Sequence, residues 1–322
     1  MVHLRLSRPV AIALVASALA VSSSPAAGSL QSTVAPESCV VIDTDWDIDD
    51  LMAIPAVVAQ RNVAAIVVTE GVSEPRGGAG AAATMLARPY PGASLPVVVG
   101  MSSNSSVANL GWLQDLRASQ LTVNGLLSEP IQVMPSSAKA ARVRSAVREL
   151  TKGCTSIELM IIGPFTSFVA YESGIADRIS TVVMQGKPLR GDPTADSADL
   201  SFNCWYDKKS CTRAFPILKR HDAYWVDVPK GGPIPYSPSL DMVTSLKTTG
   251  LPGTTRRALL SDRSTWDPTQ LPPASKSYLW DQGAALFLLD SRGFAQVGGH
   301  WEASFTPQRF RERWTKAVNG SR

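Results

Sequence analysis

The sequence predicts an α/β fold with an open, mostly parallel sheet that helices cover on both faces. Short apolar runs alternate along the chain with segments of helical spacing, and this order is typical of strands joined by crossover helices. The runs are apolar throughout instead of alternating with polar residues, which indicates strands that are buried on both sides. The chain has 322 residues, of which 44% are hydrophobic, enough for a sizeable core.

The predicted strands and helices alternate over most of the chain. Strands are expected at 39–43, 63–69, 95–99, 156–162, 179–184 and 224–228. Helices are expected at 50–60, 77–88 and 138–152, from about 164, and at 284–289 and 307–318. The Pro-rich stretches 231–238 and 261–277 are expected to form surface loops or flaps near a ligand site.

The first residues have the composition of a signal peptide. Arg5 and Arg8 precede an apolar run at 10–21, which is about twelve residues long and short for a membrane span. A small-residue cleavage site follows at 24–26. An N-terminal membrane anchor or a buried helix is the alternative. We predict a secreted or periplasmic protein with a signal peptide at 1–27 and one domain at 28–322.

The charge of the chain does not favour nucleic acid as a partner. The net charge is +4, and the 31 basic and 27 acidic residues are spread along the sequence without a basic block. No second apolar run is long enough to span a bilayer, so we expect no membrane contact after the signal peptide is removed.

Four cysteines lie in the predicted mature part of the chain, at Cys39, Cys154, Cys204 and Cys211. An even count in an exported chain permits two disulfides, for which three pairings exist. No CxxC pair occurs, and no histidine lies close to these cysteines in the sequence, so a zinc site is not expected.

A dense acidic segment directly follows the first predicted strand. It places five carboxylates within eight residues, at Asp43, Asp45, Asp47, Asp49 and Asp50. Ligands of open α/β sheets bind at the carboxyl ends of the strands, and acids crowded there repel one another unless a cation compensates them. Calcium accepts about six to eight oxygen ligands in loose geometry. The alternative is a solvated acidic loop with two acids at a helix N-terminus.

Two other metal sites fit the segment less well. The Gly and the distal Glu of an EF-hand loop are missing. Magnesium phosphotransferases of the haloacid dehalogenase type also begin with a strand and Asp-x-Asp, but they usually have Thr or Val where this chain has Asp47. A metal-dependent phosphatase is therefore disfavoured.

The acidic segment resembles the signature of the calcium-dependent nucleoside hydrolases, the inosine/uridine-preferring N-ribohydrolase family, which is Asp-Thr-Asp-x-Gly-x-Asp-Asp followed by a helix. Asp47 stands where the family has Gly, and Asp tolerates left-handed backbone better than most residues. Four later segments resemble the family in the same order, at 162–167, 182–186, 201–207 and 280–286. The resemblance implies a Rossmann-like nucleoside hydrolase fold.

The resemblance also implies roles for individual residues. Asp45 would be the base that activates water, with Asp43 as a support behind it. The ligands of Ca²⁺ would be Asp45, Asp50, the backbone carbonyl of Ile162, and Asp281. The substrate-binding residues would be Asp49, Asn203, Met184, Phe202 and Trp280.

The residue before Asp281 indicates the base of the nucleoside. A purine-preferring branch of the family has Trp at this position, where it stacks on the base, and this chain has Trp280. Trp112 is a candidate for a second stacking face. The resemblance therefore implies a nucleoside, preferably a purine nucleoside, as the small-molecule partner, and the family's oligomers make a homo-oligomer possible.

Because of two departures from the family, the sequence does not specify the sugar of the substrate. Ser201 replaces a Glu and Val72 replaces an Asn, and both replaced residues contact ribose in the family. The substrate is then a ribonucleoside, a modified nucleoside or another N-glycoside. The alternative function is a calcium-containing nucleoside- or sugar-binding protein without hydrolase activity.

The resemblance favours one disulfide pairing. It brings the strands that end at Asp45 and Ile162 to one metal, so the starts of these strands should also be neighbours. We therefore expect Cys39–Cys154, together with a local Cys204–Cys211 bridge.

Overall fold

A computed structural model describes residues 37–87, 95–103, 105–127, 136–187, 201–230, 235–271 and 278–320. The strands are β1 Glu37–Thr44, β2 Val63–Val68, β3 Val97–Val99, β4 Cys154–Ile161, β5 Ile179–Gln185, β6 Ala223–Asp227, β7 Phe294–Val297 and β8 His300–Ala303. The longer helices are α1 Ile48–Val58, α2 Pro75–Ala87, α3 Gly111–Leu127, α4 Ala140–Leu150, α7 Lys208–Leu218, α9 Gly250–Ser261, α10 Trp280–Leu289 and α11 Pro307–Val318. Three helices are short, namely α5 Phe168–Tyr171, α6 Phe202–Tyr206 and α8 Leu240–Thr244. The predicted signal peptide and parts of both Pro-rich stretches lie outside the described residues.

The described strands form one sheet in the order β3-β2-β1-β4-β5-β6-β8-β7. Neighbouring strands are parallel except β7, which is antiparallel to β8. The chain leaves β1 towards β2 and β3 and then returns to the other side of β1 with β4. The strand order therefore reverses between β1 and β4, and open α/β sheets bind their ligands at such a switch point.

Helices cover both faces of the sheet, and the alternation of side chains along β1 shows how the two cores are divided. Val40 and Ile42 belong to the larger apolar cluster, which includes residues of α1, α2, α9, α10 and α11. Cys39 and Val41 belong to the second cluster, with residues of α4, α5 and α7. Because β1 is buried on both sides, it reads as a continuous apolar run. The predicted fold class, an open and mostly parallel sheet with helices on both faces, is confirmed.

Several elements of the described chain were not predicted, namely the helices α3, α8 and α9 and the β7–β8 hairpin at the edge of the sheet. The helix expected from about 164 begins at Phe168 and has only four residues.

Both disulfides join the expected pairs of cysteines. Cys39–Cys154 links the beginnings of the paired strands β1 and β4, with a Cα–Cα distance of 5.7 Å. Cys204–Cys211 links α6 to α7, with a Cα–Cα distance of 5.1 Å. Among the described helices, none has the length and apolar character needed to cross a membrane.

Candidate active site

The turn between β1 and α1 begins the site. Trp46 has a positive φ of 52°, and this sharp turn lets the chain enter α1 directly after the strand. Asp47 has an extended backbone and caps α1, since its Oδ1 accepts the Ile48 N–H at 2.6 Å while Asp50 Oδ2 accepts the Asp47 N–H at 2.9 Å. The left-handed residue is thus Trp46 and not Asp47. Asp47 stands at the family's Gly position as a helix cap.

Two helix N-termini bring the acids together. Asp49 and Asp50 lie in the first turn of α1, and Asp281 lies in the first turn of α10. The Gln282 side chain donates to the Asp49 carbonyl at 3.1 Å and connects the two helices. The positive ends of both helix dipoles point at the acids and partly offset their charge. One carboxylate oxygen each of Asp49, Asp50 and Asp281 lies within 4.8 Å of the others.

The carboxyl groups of this cluster hold their protons more tightly than ordinary aspartates. Burial raises the pKa of Asp45 to about 6, and burial together with the charge of Asp45 raises the pKa of Asp49 to about 7. Burial and the neighbouring carboxylates also raise the pKa of Asp47, Asp50 and Asp281 well above its usual range. A cation bound among these oxygens would remove the repulsion.

The donor set fits a hard divalent cation. Asp50 and Asp281 are buried, Asp49 is half-buried, and all three offer carboxylate oxygens, which calcium and magnesium prefer over the nitrogen and sulfur ligands of zinc sites. Asp45 lies against Asp50, and its Oδ2 accepts the Val72 N–H at 2.8 Å. The three closely spaced acids are thus Asp49, Asp50 and Asp281. Asp45 lies beside them, with one of its oxygens turned towards Val72.

Asn203 and Ile162 meet at the end of β4. The buried Asn203 side chain donates from Nδ2 to the Ile162 carbonyl at 3.0 Å and to Gln185 Oε1 at 3.4 Å. The peptide N–H groups of Ile162 and Gly163 donate to the Asp43 carbonyl, so this turn is held against β1. A Cβ at Gly163 would lie 2.6 Å from the Asp45 nitrogen, which explains why the close approach of the two strands requires glycine.

Met184 and Gln185 occupy opposite faces at the end of β5. Met184 is fully buried in the apolar cluster that contains residues of α4, α5 and α7, so its side chain has no exposed surface for a sugar. Gln185 is the residue of this pair that touches Asn203. Side chains alternate between the two faces of a strand, so neighbouring residues face opposite sides. Met184 therefore faces the core, and Gln185 faces the site.

Aromatic residues of α3 and α6 form one surface beside Asn203. Trp112 is 51% exposed and stacks on Trp205 with ring centroids 5.9 Å apart and an interplanar angle of 18°. Phe202 meets Trp112 edge to face at 6.3 Å. Trp280 belongs to a separate pair with Tyr278, at 5.3 Å, at the beginning of α10.

Val72 and Ser201, which replace the Asn and Glu of the family, both pack against neighbouring residues. Val72 is buried against Leu113 and Tyr206, and it serves Asp45 through its backbone instead of its side chain. Ser201 lies directly against Gly186, where an added Cβ would approach the Ser201 Cβ to 2.5 Å. The buried Ser201 hydroxyl oxygen has no hydrogen-bond partner among the described residues.

Asp43 lies behind the acidic cluster, in a buried polar group. Its Oδ1 accepts the Thr69 hydroxyl at 2.5 Å, and the Thr69 hydroxyl oxygen lies 2.7 Å from that of Ser167. Burial raises the pKa of Asp43 to about 8, although the Thr69 and Tyr171 hydroxyls lower it. Asp43 therefore joins the ends of β1, β2 and the β4–α5 turn.

Three residues of the site neighbourhood were missed by the sequence reasoning, namely Gln185, Arg117 and Tyr206. Gln185 follows Met184 directly, so a shift of one position in the strand register would have found it. Arg117 and Tyr206 carry no local signal, because their relation to Asp45 arises only when α3 and α6 pack against the turn after β2.

Comparison with known proteins was informative at the level of structure. No family model and no curated protein matches the sequence. The purine-preferring ribonucleoside hydrolase from Gardnerella vaginalis matches with a TM-score of 0.59 at 15% identity, over 88% of this chain and 98% of its own. The inosine-uridine preferring nucleoside hydrolase from Bacillus anthracis matches with a TM-score of 0.54 at 14% identity, over 88% and 99%. The type III effector protein XopQ complexed with adenosine diphosphate ribose matches with a TM-score of 0.54 at 13% identity, over 88% and 92%.

These matches extend over nearly the whole of each solved chain. The described part of this chain therefore has the fold of the nucleoside hydrolases, as the resemblance implied.

Proposed function

We propose that this chain is an exported, calcium-dependent hydrolase that cleaves the N-glycosidic bond of ribonucleosides, with purine nucleosides preferred. The observation that carries the proposal is the convergence of Asp45, Asp49, Asp50 and Asp281 at the switch point of a nucleoside hydrolase fold. Four buried or half-buried acids at one point are costly for stability, so their retention supports a bound cation and a chemical role.

The calcium site is assigned to the oxygens of Asp45, Asp50, the Ile162 carbonyl and Asp281. One oxygen of Asp49 lies with Asp50 and Asp281, which leaves its second oxygen for a sugar hydroxyl. When bound, calcium supplies a positive charge that orients a water molecule and lowers its pKa. Asp45 would accept the proton of the attacking water, because its carboxylate is beside the cluster and held in one orientation by Val72.

The sugar is held by residues around the acids. Asp49 and the amide oxygen of Asn203 would accept hydrogen bonds from ribose hydroxyl groups, which positions the anomeric carbon. The leaving group departs from a sugar with oxocarbenium character, and the negative cluster stabilises that positive charge. Ser201 stands where the family has Glu, so one sugar contact of the family is missing.

We assign binding of the nucleobase to aromatic residues. Trp280 precedes Asp281 and is half-buried beside Tyr278, so its ring is available for stacking at the edge of the acidic site. Phe202 and Trp112 pack against each other beside Asn203, while Met184 lies in the apolar core on the other face of β5. A large purine ring gains more from stacking than a pyrimidine.

The proposed activity can be tested with an assay that measures release of the nucleobase and ribose. The mature protein with calcium is incubated with inosine, guanosine, adenosine, uridine and cytidine, and free base and ribose are quantified. We expect base and ribose in equal amounts, fastest from purine nucleosides, and a fall in kcat of at least about a hundredfold in Asp45→Asn. Asp241→Asn is the control, because Asp241 is an exposed acid in the first turn of α8.

A second function is favoured by two observations. Val72 and Ser201 remove two sugar contacts of the family, and the same fold occurs in an effector protein complexed with adenosine diphosphate ribose. This alternative is a calcium-containing protein that binds a nucleoside or sugar without cleaving it. Calcium binding with no base released from any nucleoside would overturn the hydrolase and support the binding protein.

A further inference from the structure

Arg117 is a nearly buried cation that faces the acidic site from α3. Its side chain is 12% exposed, and its neighbour Glu70 is 13% exposed, with 3.5 Å between Arg117 Nη2 and Glu70 Oε1. Burying a guanidinium group costs free energy that must be offset by charge and by hydrogen bonds. Neither the catalytic step nor the calcium site described above uses this residue.

Two hydrogen bonds of Arg117 converge on one peptide group. Nη2 and Nε donate to the Gly71 carbonyl at 2.7 and 3.2 Å. The nitrogen of the same peptide group belongs to Val72, and its N–H donates to Asp45 Oδ2 at 2.8 Å. The Gly71–Val72 peptide thus lies between a cation on its oxygen and a carboxylate on its nitrogen.

This arrangement strengthens the contact to Asp45. A positive charge on the carbonyl oxygen polarises the peptide group and makes its N–H a better donor, so the two hydrogen bonds reinforce each other. The charge of Arg117 reaches Asp45 in this way. With Oδ2 held by the peptide, the second oxygen of Asp45 is left for the proposed calcium site and the water.

The turn is fixed on its other sides as well. An added Cβ at Gly71 would lie 2.1 Å from Asp45 Oδ2, so the turn touches the carboxylate directly. The Ser73 N–H donates to the Asp45 carbonyl at 3.0 Å. Arg117 Nη2 also donates to the Tyr206 hydroxyl at 2.7 Å, which ties α6 to the same point.

We propose that Arg117 is a positioning residue that sets the orientation of the Asp45 carboxylate by holding and polarising the Gly71–Val72 peptide group. The inference rests on the proposed function, in which Asp45 activates water. An arginine is required because one guanidinium group reaches Gly71 and Tyr206 at once, whereas a lysine has a single nitrogen.

The test uses the mature, calcium-loaded protein and four variants. In Arg117→Met we expect kcat to fall by roughly ten- to a hundredfold, because a small misplacement of a catalytic group is costly, and KM to stay within about threefold. Arg117→Lys should recover part of kcat. Gly71→Ala should lose kcat as well, since the new methyl group displaces Asp45.

Arg178→Met is the matched control. Arg178 is 20% exposed, lies beside Asp177 and donates to the backbone carbonyls of Thr151 and Cys154, at the opposite end of the sheet. Its replacement should leave kcat near the wild-type value. An unchanged kcat in Arg117→Met, a loss carried by KM alone, or an equal loss in Arg178→Met would overturn the inference.

Hydrogen exchange of the Val72 amide separates this inference from the proposed function. We expect faster exchange in Arg117→Met than in wild type or Arg178→Met, because the amide loses its fixed partner. This readout needs no activity. If wild type cleaves no nucleoside, the proposed function fails, and unchanged exchange at Val72 would then also reject the positioning role of Arg117, whereas faster exchange would support it.

Discussion

At the level of single residues, the aspartates of the site lie close together although their negative charges repel one another. Asp45, Asp50 and Asp281 are buried near one another, and Asp49 adds a fourth charge at the surface of the cluster. The free chain gains some compensation from two helix N-termini and from hydrogen bonds to Thr44, Asp47 and Val72. The remaining repulsion makes the stability of the calcium-free protein depend on pH.

The sign of this dependence follows from the raised pKa values. A carboxyl group whose pKa is higher in the folded than in the unfolded chain stabilises the fold below the unfolded value near 3.8, and this contribution is lost as pH rises through the folded value. The folded values are about 6 for Asp45, about 7 for Asp49 and about 8 for Asp43.

We therefore expect the melting temperature of the calcium-free protein to fall between about pH 4 and about pH 8. The increase in melting temperature on adding calcium should grow over the same range, because the cation binds the ionised acids. Asp281→Asn should flatten the decline. Thermal unfolding with chelator or calcium at graded pH measures these effects, and a chelated protein whose melting temperature rises towards pH 8 would contradict them.

The acidic residues of the site were predictable, whereas several of their partners were not. Asp45, Asp49 and Asp50 follow an apolar strand within a few residues, so local sequence was sufficient. Asp281 required the resemblance, because it arrives from a distant helix. Arg117 and Gln185 contact the site only through tertiary packing and strand register, which no local pattern encodes.

At the level of elements, α6 carries several residues of the proposed substrate site. It contains Phe202, Asn203 and Trp205, and it has only five residues, too few to be a stable helix alone. The Cys204–Cys211 disulfide joins it to α7, and both cysteines are buried. The other disulfide, Cys39–Cys154, lies at the amino ends of its strands, away from the site.

The two disulfides should therefore differ in their effects. Replacing Cys39 and Cys154 by Ser should lower the free energy of unfolding by about 5 kcal/mol, because that bridge closes a loop with a sequence separation of 115, and should leave KM unchanged. Replacing Cys204 and Cys211 by Ser should cost only about 2 kcal/mol for a separation of 7, but should raise KM. Denaturant unfolding and steady-state kinetics measure both, and equal KM values in the two variants would contradict a positioning role for the α6–α7 bridge.

Two of the elements that were not predicted from the sequence can be explained in physical terms. The β7–β8 hairpin turns at Gly298 and Gly299, which both have positive φ, and a Gly-Gly pair between short strands is a hairpin signal that was not used. Helix α3 begins at Gly111 and carries Thr and Asn in its interior, so its propensity is weak. Its packing against α2 and α6 outweighs this propensity.

For the whole molecule, the sequence predicted the sheet and its helical layers because each parallel strand is a continuous apolar run. The position of the site followed from the order of the elements. β1 is central, and the chain reverses direction in the sheet between β1 and β4, so the acids after β1 lie in the crevice at the strand ends. The metal and the substrate are proposals that the fold and the acidic cluster support.

The most direct test of the account is the calcium dependence of ribose release. Mature wild-type protein is freed of metal with chelator and titrated with calcium, while ribose release from inosine and calcium binding by calorimetry are followed together. We expect no release without calcium, recovery of release with the same midpoint as calcium binding, and weak calcium binding in Asp281→Asn. Full release from the chelated protein, or calcium binding with no release at saturation, would contradict it.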